Sequence, residues 1–153
     1  MAQKKPTHAQ AQLQLQLYDL RREAQLRKAR EWFLGKYHAR TLEEAFQLTP
    51  PGSRESAMAR MVTTYWDQAC AYLNYGLLHE GLFFESTGEF FSVYEQLRPF
   101  LPALRRRYKH KHLYEHLERA ALRYEKWMSR RAPGWMKDAR EGRVENRKGR
   151  NRS

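Results

Sequence analysis

The sequence predicts an all-α protein: a compact bundle of four to five helices with a disordered basic C-terminal tail. Apolar residues recur at helical spacing over several long segments. The alternation typical of a strand occurs only in the short run Leu13, Leu15 and Leu17. The chain has 153 residues and one cysteine, Cys70, so it has no internal disulfide. A chain of this length buries about two thirds of its unfolded surface, which is enough for one domain over residues 10–130.

Residues 10–38 are predicted to form one long helix with a bend near Ala24. The segment is rich in strong helix formers such as Leu, Arg, Glu and Ala. Its apolar stripe has a period of about 3.6 residues, which supports a helix. The first part of that stripe comprises Leu13, Leu17, Leu20 and Ala24. Residues 1–9 form a polar N-terminus and are predicted to be disordered.

A short helix is predicted from Thr41 to about Leu48. Thr41 and Glu44 form a capping-box pattern, in which the Thr41 hydroxyl accepts from the Glu44 amide and the Glu44 side chain reaches back. The Thr-Pro-Pro-Gly-Ser segment at 49–53 then interrupts the helical pattern. Ser53 is a suitable N-cap for the helix that follows.

The helix after Ser53 has the clearest pattern in the chain and is predicted to end near Gly76. Its apolar residues recur at i, i+3, i+4 and i+7 on one broad face. They are Met58, Met61, Val62, Tyr65, Trp66, Ala69, Cys70, Leu73 and Leu77. Cys70 is predicted to be a buried, unreactive thiol, because no neighbouring residue would lower its pKa.

Further helices are predicted on both sides of Pro99 and Pro102. A turn at residues 79–81 leads to a helical segment that starts at Leu82, with Gly88 as a candidate interruption. The two prolines imply a kink or a restart of the helix. The last helix is predicted over residues 112–129, and its inward side chains are Leu113, Leu117, Ala120, Ala121, Tyr124 and Trp127.

The aromatic residues between positions 83 and 100 are predicted to be core. They are Phe83, Phe84, Phe90, Phe91, Tyr94 and Phe100. Because adjacent aromatic residues cannot all face one narrow seam, some of them must cover a second surface. Another helix or a partner subunit would provide it.

After Arg131 the apolar pattern ends. Pro133 and Gly134 break the helix. The remaining residues are mostly basic and polar and form no stripe. Residues 131–153 are therefore predicted to be a basic tail that is disordered or only marginally helical.

The distribution of charge is the feature of the sequence that points to a partner. The net charge is +12, and residues 105–153 carry 17 basic against 6 acidic residues. The stretch from Met61 to Leu97 has no Lys or Arg. This asymmetry favours an anionic partner such as nucleic acid, a ribonucleoprotein, an anionic membrane face or an acidic protein.

The predicted function is a non-enzymatic binding protein whose basic C-terminal region contacts nucleic acid or a ribonucleoprotein. Contacts of this kind go to phosphates and carry no sequence specificity. The alternative is a protein–protein module or homo-oligomer that pairs through aromatic or Leu/Gln surface. The predicted nucleic-acid-binding residues are Arg105, Arg106, Arg107, Lys109, Lys111, Arg130, Arg131, Lys137, Arg140, Arg143, Arg147, Lys148, Arg150 and Arg152.

Three histidines follow the Arg cluster, at positions 110, 112 and 116. On a helix, His112 and His116 would share a face at a spacing that suits one divalent metal. Arg105 with His110, and Arg107 with His112, also resemble the ribonuclease motif of the HEPN helical-bundle nucleases, in which His moves protons and Arg holds phosphate. A ribonuclease is thus a third hypothesis. We assign no catalytic residue, no metal ligand and no cofactor.

The chain is predicted to be cytoplasmic. Its longest charge-free stretch, residues 68–79, is far shorter than the ~20 residues of a membrane-spanning helix. The N-terminal MAQKKPTHAQAQ lacks the apolar core of a secretion signal. One cysteine also fits a reducing compartment.

Two segments resemble a known family: YGLLHEGLFFESTGEFFSVYEQLRPFLPALRRR and LYEHLERAALRYEKW. They are similar to the bacterial helical family catalogued as domain of unknown function 4760. Gly81, Tyr94, Pro99 and Arg105 fill the places of its turn glycine, its aromatic helix and the Pro and Arg that end that helix. EAQLRKAREWFLGKY resembles the first helix of the family, so the resemblance covers about residues 20–128. It implies an all-α fold and supplies no catalytic residue.

Overall fold

The computed structural model describes residues 4–150 and, within them, every side chain except those of residues 146, 147 and 150. These residues form nine α-helices and no strand. The predicted all-α class is confirmed, whereas the predicted number of four to five helices is too low. The helices are α1 His8–Arg21, α2 Ala24–Lys36, α3 Leu42–Leu48, α4 Arg54–Asn74, α5 Glu80–Ser86, α6 Glu89–Leu97, α7 Leu101–Arg107, α8 Glu115–Arg131 and α9 Trp135–Arg150.

Short breaks divide the longer predicted segments, and this accounts for most of the additional helices. The predicted helix over 10–38 is two helices, because the Glu23 carboxylate accepts from the Leu26 amide at 2.9 Å and starts α2. Gly88 separates α5 from α6. The chain restarts as α7 with Pro102 in its first turn, where the missing N–H costs nothing.

Hydroxyl side chains cap α3 and α4 as predicted. The Thr41 hydroxyl accepts from the Glu44 amide at 3.1 Å, and the Ser53 hydroxyl accepts from the Ser56 amide at 3.1 Å. The reciprocal half of the predicted capping box is different, since the Glu44 carboxylate accepts from the Arg40 amide at 2.8 Å. Both helices start at the predicted caps.

The core lies around α4. The helices α2 and α8 pack against α4, and α6 packs against both α4 and α8. Each of these helices supplies side chains that are almost completely buried, among them Phe33, Val62, Cys70, Phe90 and Leu117. The predicted core face of α4 is therefore largely confirmed.

Four residues of the predicted apolar stripes are instead exposed: Ala24, Leu20 (60%), Met61 (38%) and Leu77 (53%). Leu77 lies beyond the end of α4, where Gly76 at φ +77 turns the chain out of the helix. Leu20 lies in the last turn of α1, just before the break that redirects the chain into α2. The continuous stripe in the sequence does not take these changes of direction into account.

Tyr124 of α8 is the centre of an aromatic cluster. The rings of Phe84, Phe90 and Phe91 lie 5.1–5.4 Å from its ring, and the ring of Trp135 lies at 6.1 Å. All six aromatic residues predicted as core are buried. The second surface that they require is formed by α8 and α9 of the same chain.

The segment predicted to be disordered or only marginally helical forms the helix α9 over Trp135–Arg150, so the prediction of disorder does not hold for these residues. Gly134 has φ +89 and turns the chain, so that α9 folds back onto the bundle. Trp135 and Met136 then pack against the core. Ion pairs from Arg140 and Arg143 to Glu95 also hold α9 against the bundle. Because only two of the apolar residues described in α9 take part in this contact, its sequence shows no apolar stripe. Residues 151–153 lie outside the described part of the chain.

No helix within residues 4–150 combines the length and the apolar character needed to cross a membrane.

Candidate functional site

The predicted binding residues from Arg105 to Lys111 lie at the turn between α7 and α8, which has a shallow depression of about 510 Å³. We refer to the residues that line the depression as the basic turn. They are Arg105, Arg106, Lys109, His110, Lys111 and His112.

A Schellman motif at the end of α7 shapes the basic turn. The His110 amide donates to the Arg105 carbonyl at 3.0 Å, and the Lys109 amide donates to the Arg106 carbonyl at 3.2 Å. The motif usually places glycine where Lys109 lies, at φ +51. The end of α4 has the same hydrogen bonds with Gly76 in that position. A lysine there costs about 1–2 kcal/mol that a glycine would not.

The other end of the turn is held by residues of α4. Tyr114 has φ +57 and offers no side-chain cap to α8. Asp67 supplies one instead, since its carboxylate accepts from the Leu117 amide at 2.9 Å. The hydroxyl oxygens of Tyr114 and Thr63 are 3.0 Å apart. Burial raises the pKa of the Asp67 carboxyl and that of the Tyr114 hydroxyl.

The basic residues of this region fall into two groups. Arg105 is structural: it donates to the Leu113 carbonyl at 2.9 Å and to the Glu118 carboxylate at 3.1 Å, and its side chain is 18% exposed. The other predicted binding residues between positions 106 and 111 are exposed to solvent. They are Arg106, Arg107, Lys109 and Lys111.

The three histidines do not converge. His110 lies on the basic turn, His112 lies 2.9 Å from the Glu115 carboxylate, and His116 contacts Asn74 of α4. Among the residues that the structure describes, no group of three or more His, Cys, Asp or Glu side chains could hold a metal ion.

The Arg–His pairs that suggested a ribonuclease have different surroundings. Arg105 is committed to Glu118, whereas Arg107 and His112 are both exposed. Ribonuclease activity remains a prediction.

Two predicted binding residues of the tail hold α9 in place. Arg140 and Arg143 reach the Glu95 carboxylate of α6 at 3.2 and 3.3 Å, and Arg98 reaches it at 3.2 Å. The Glu95 side chain is 4% exposed, so its charge requires these partners. The first two arginines therefore serve an internal contact.

The remaining predicted binding residues that the structure describes are exposed to solvent. Arg131 lies 3.5 Å from Glu85, and Lys137 lies 3.9 Å from Glu141. These are exposed ion pairs of small energetic value. Two predicted residues are simply exposed, namely Arg130 and Lys148. Three of the predicted binding residues lie outside what the structure describes: this applies to the side chains of Arg147 and Arg150 and to the whole of Arg152.

The Cys70 thiol is buried on the core face of α4. Burial raises its pKa well above the ordinary value, so it stays protonated at neutral pH. The prediction of an unreactive structural thiol agrees with this environment.

Glu95 and Asp67 are important polar residues that the sequence analysis did not identify. Both lie within helices whose buried faces are mainly apolar, with Thr63 in α4 and Gln96 in α6 as further buried polar residues. Glu95 stands directly after Tyr94 and two residues before Leu97, all of them buried. A single acid in an apolar stripe is a signal for a buried ion pair, although it does not reveal the partner.

These features define a class: an all-α protein with an aromatic core and an exposed basic turn between its seventh and eighth helices. The chain belongs to the family described as domain of unknown function (DUF4760), whose model matches residues 6–127. The match covers α1 to α7 and most of α8, and it ends before α9. No curated protein and no solved structure matches the chain significantly.

Proposed function

We propose that this protein is a non-enzymatic nucleic-acid-binding module, and that its basic turn contacts the phosphate backbone. The observation that carries the proposal is the group of exposed cations at the end of α7: Arg106, Arg107, Lys109 and Lys111. Cations gathered at one surface gain affinity for nucleic acid by releasing counterions from the phosphates.

The surroundings leave this positive charge largely uncompensated. Two acids that follow the turn pair with other residues of the turn, since Glu118 binds Arg105 and Glu115 lies against His112. Within residues 4–150, the exposed cations Arg106, Arg107, Lys109 and Lys111 form no ion pair. Charges that are exposed and close together add to a local positive potential, which attracts polyanions over about one Debye length.

The position of Lys109 gives independent support. The comparison with Gly76 shows that the same helix ending works with glycine in this chain. A residue that is kept in an unfavourable backbone conformation is a reason to suspect a functional role for its side chain. At this position the side chain is a solvent-exposed ammonium group.

A charge-removal experiment tests the proposal. We would measure binding of the full chain and of the triple variant Arg106→Gln, Lys109→Gln, Lys111→Gln to mixed-sequence RNA and DNA over a range of salt concentrations. The slope of log K against log salt is negative, and each lost phosphate contact reduces its magnitude by about 0.7–0.9. In the triple variant the magnitude of the slope should therefore be about 2–3 smaller.

The control removes the same charge from the end of α1 and the first half of α2, whose residues do not line the basic turn. Arg22, Arg27 and Lys28 are exposed there, and their replacement by Gln also removes three positive charges. This variant should keep the slope of the natural chain. Absence of binding near physiological salt, or equal losses in the two triple variants, would refute the assignment to the basic turn.

A homo-oligomer is the second candidate, because α1 has exposed apolar residues. Leu15 is 61% exposed and Leu20 is 60% exposed. The aromatic surface that the sequence offered for this role is used in the core, whereas this Leu/Gln surface is open to solvent. Sedimentation distinguishes the two functions, since a stable dimer without affinity for nucleic acid would favour the second.

A further inference from the structure

A second cavity lies beside the basic turn. It has a volume of about 490 Å³ and opens between α3, the first half of α4, α7 and the turn itself. This volume falls in the range of about 300–1,000 Å³ that is typical of small-molecule sites. We refer to it as the aromatic cavity, since its walls include Phe33, Tyr37, Phe46, Phe100, Tyr108 and Tyr114.

His110 and Tyr108 connect the cavity with the basic turn. His110 lines both the aromatic cavity and the basic depression. Tyr108 also lines the cavity and is 58% exposed, so its ring is accessible from solvent. In the sequence Tyr108 stands between the exposed cations Arg107 and Lys109. A ligand in the cavity would thus lie next to the positive charges.

A few polar groups interrupt the apolar wall. The hydroxyl groups of Thr63 and Tyr114 lie 3.0 Å from each other, and both residues line the cavity. Arg60 lies on the same wall and is exposed. A wall that combines aromatic and aliphatic side chains with a small number of hydrogen-bonding groups suits a flat ring that carries polar atoms on its edge.

We infer that the aromatic cavity accepts an unstacked base of a single-stranded nucleic acid whose phosphates lie on the basic turn. This inference rests on the proposed function and makes it more specific. Base and phosphate belong to the same nucleotide, so they must bind to neighbouring surfaces. The shared wall at His110 provides that arrangement.

The inference distinguishes single strands from duplexes. In a duplex the bases are stacked and paired, so they cannot enter a protein cavity without being flipped out. In single strands and loops they are free to stack on aromatic side chains. The duplex can use only the cations of the turn, whereas the single strand uses the cations and the cavity.

The test compares one short RNA as a single strand and as a duplex with its complement, by fluorescence anisotropy at one salt concentration. The natural chain should bind the single strand more tightly. The variant Tyr108→Leu should weaken single-strand binding roughly 5- to 100-fold, the range for the loss of one base–aromatic stack, and change duplex binding less than about twofold.

A second variant and a matched control complete the design. Ala59→Leu narrows the cavity without removing a charge and should also weaken binding of the single strand. Tyr18→Leu removes a similarly exposed tyrosine, 48% exposed, from α1 and should change neither affinity. Thermal unfolding of each variant shows that it is folded under the assay conditions.

The outcomes separate the two proposals. Equal affinity for both forms, with losses only in the charge variants, would uphold the proposed function and overturn the role of the cavity. Equal loss of single-strand and duplex binding in Tyr108→Leu would overturn it as well. If neither form binds, both proposals are overturned.

Discussion

Gly88 allows α6 to start directly against the hydroxyl group of Tyr124. A Cβ atom added at Gly88 would lie 2.9 Å from the Tyr124 hydroxyl oxygen and 3.7 Å from the ring carbon that carries it. Contacts below 3.0 Å do not occur at real Cβ atoms, so one of the two groups would have to move. The Tyr124 ring cannot move freely, since aromatic rings from α5, α6, α8 and α9 surround it.

The expected cost of Gly88→Ala is therefore that of overpacking, about 1–3 kcal/mol. Two smaller effects accompany it. Alanine is a poorer N-cap than glycine, and it also reduces the entropy of the unfolded chain by about 0.4–1 kcal/mol in favour of the fold. The capping effect lowers the stability and the entropy effect raises it, so we expect a net loss of about 1–2 kcal/mol in the free energy of unfolding. For a domain of this size the melting temperature would fall by about 2–8 °C.

A double-mutant cycle isolates the steric contact. Tyr124→Phe removes the hydroxyl oxygen at 2.9 Å, and the nearest remaining atom is then at 3.7 Å, an ordinary van der Waals distance. In that background Gly88→Ala should have almost no cost. The coupling energy between the two substitutions should be about 1–3 kcal/mol, because the capping and entropy effects cancel in the cycle.

The assay is denaturant unfolding of the four proteins of the cycle, followed by tryptophan fluorescence. Gly35→Ala serves as a control, since a Cβ atom there meets nothing within 4 Å, and it should stabilise α2 slightly. A loss of stability from Gly88→Ala that is the same with Tyr or Phe at position 124 would refute the reasoning. The cause would then be the backbone at Gly88.

Two further predictions concern acids within the bundle, the buried Glu95 and the half-buried Asp67. Glu95→Gln should loosen α9, because Arg140 and Arg143 lose the charge of their partner. We expect a local cost of about 1–3 kcal/mol, the range for the loss of a hydrogen-bond partner, seen as faster hydrogen exchange in α9 and not in α4. Unchanged exchange in α9 would contradict this prediction. For Asp67, burial raises the pKa of the folded state above that of the unfolded chain, so the folded protein binds the proton more tightly and loses stability as the pH rises through the carboxyl range. Denaturant unfolding from acid to neutral pH should show this decline relative to Asp67→Asn, and a relative gain would mean that the carboxylate at the Leu117 amide is favoured instead.

Local signals in the sequence predicted much of the fold. The caps at Thr41 and Ser53, the interruption at Gly88 and the restart near Pro102 all agree with the structure. Each of these depends on a residue and its immediate neighbours. The predicted bend near Ala24 lies where the chain breaks between α1 and α2, whereas the prediction of one continuous helix over 10–38 was wrong. The cap formed by Glu23 turns the bend into a complete break.

The candidate site was predicted in part. The cations that the sequence analysis listed from Arg105 to Lys111 lie together at the turn between α7 and α8, and most of them are exposed. The aromatic cavity was not predicted, since its walls come from segments as far apart as Phe33 and Tyr114. No local pattern indicates that such segments meet.

The sequence by itself determined the helical class, the main helix ends and the aromatic core, because periodicity and capping act over a few residues. Only the tertiary structure decided which charges are available to a partner. Arg140 binds Glu95, which lies 45 residues earlier in the chain, whereas Lys109 is held in the solvent by a turn that glycine would fit better. Charges of one sign look alike in a sequence. Their roles differ because a buried acid requires a partner from another helix, and an exposed turn leaves its cations free for one from outside.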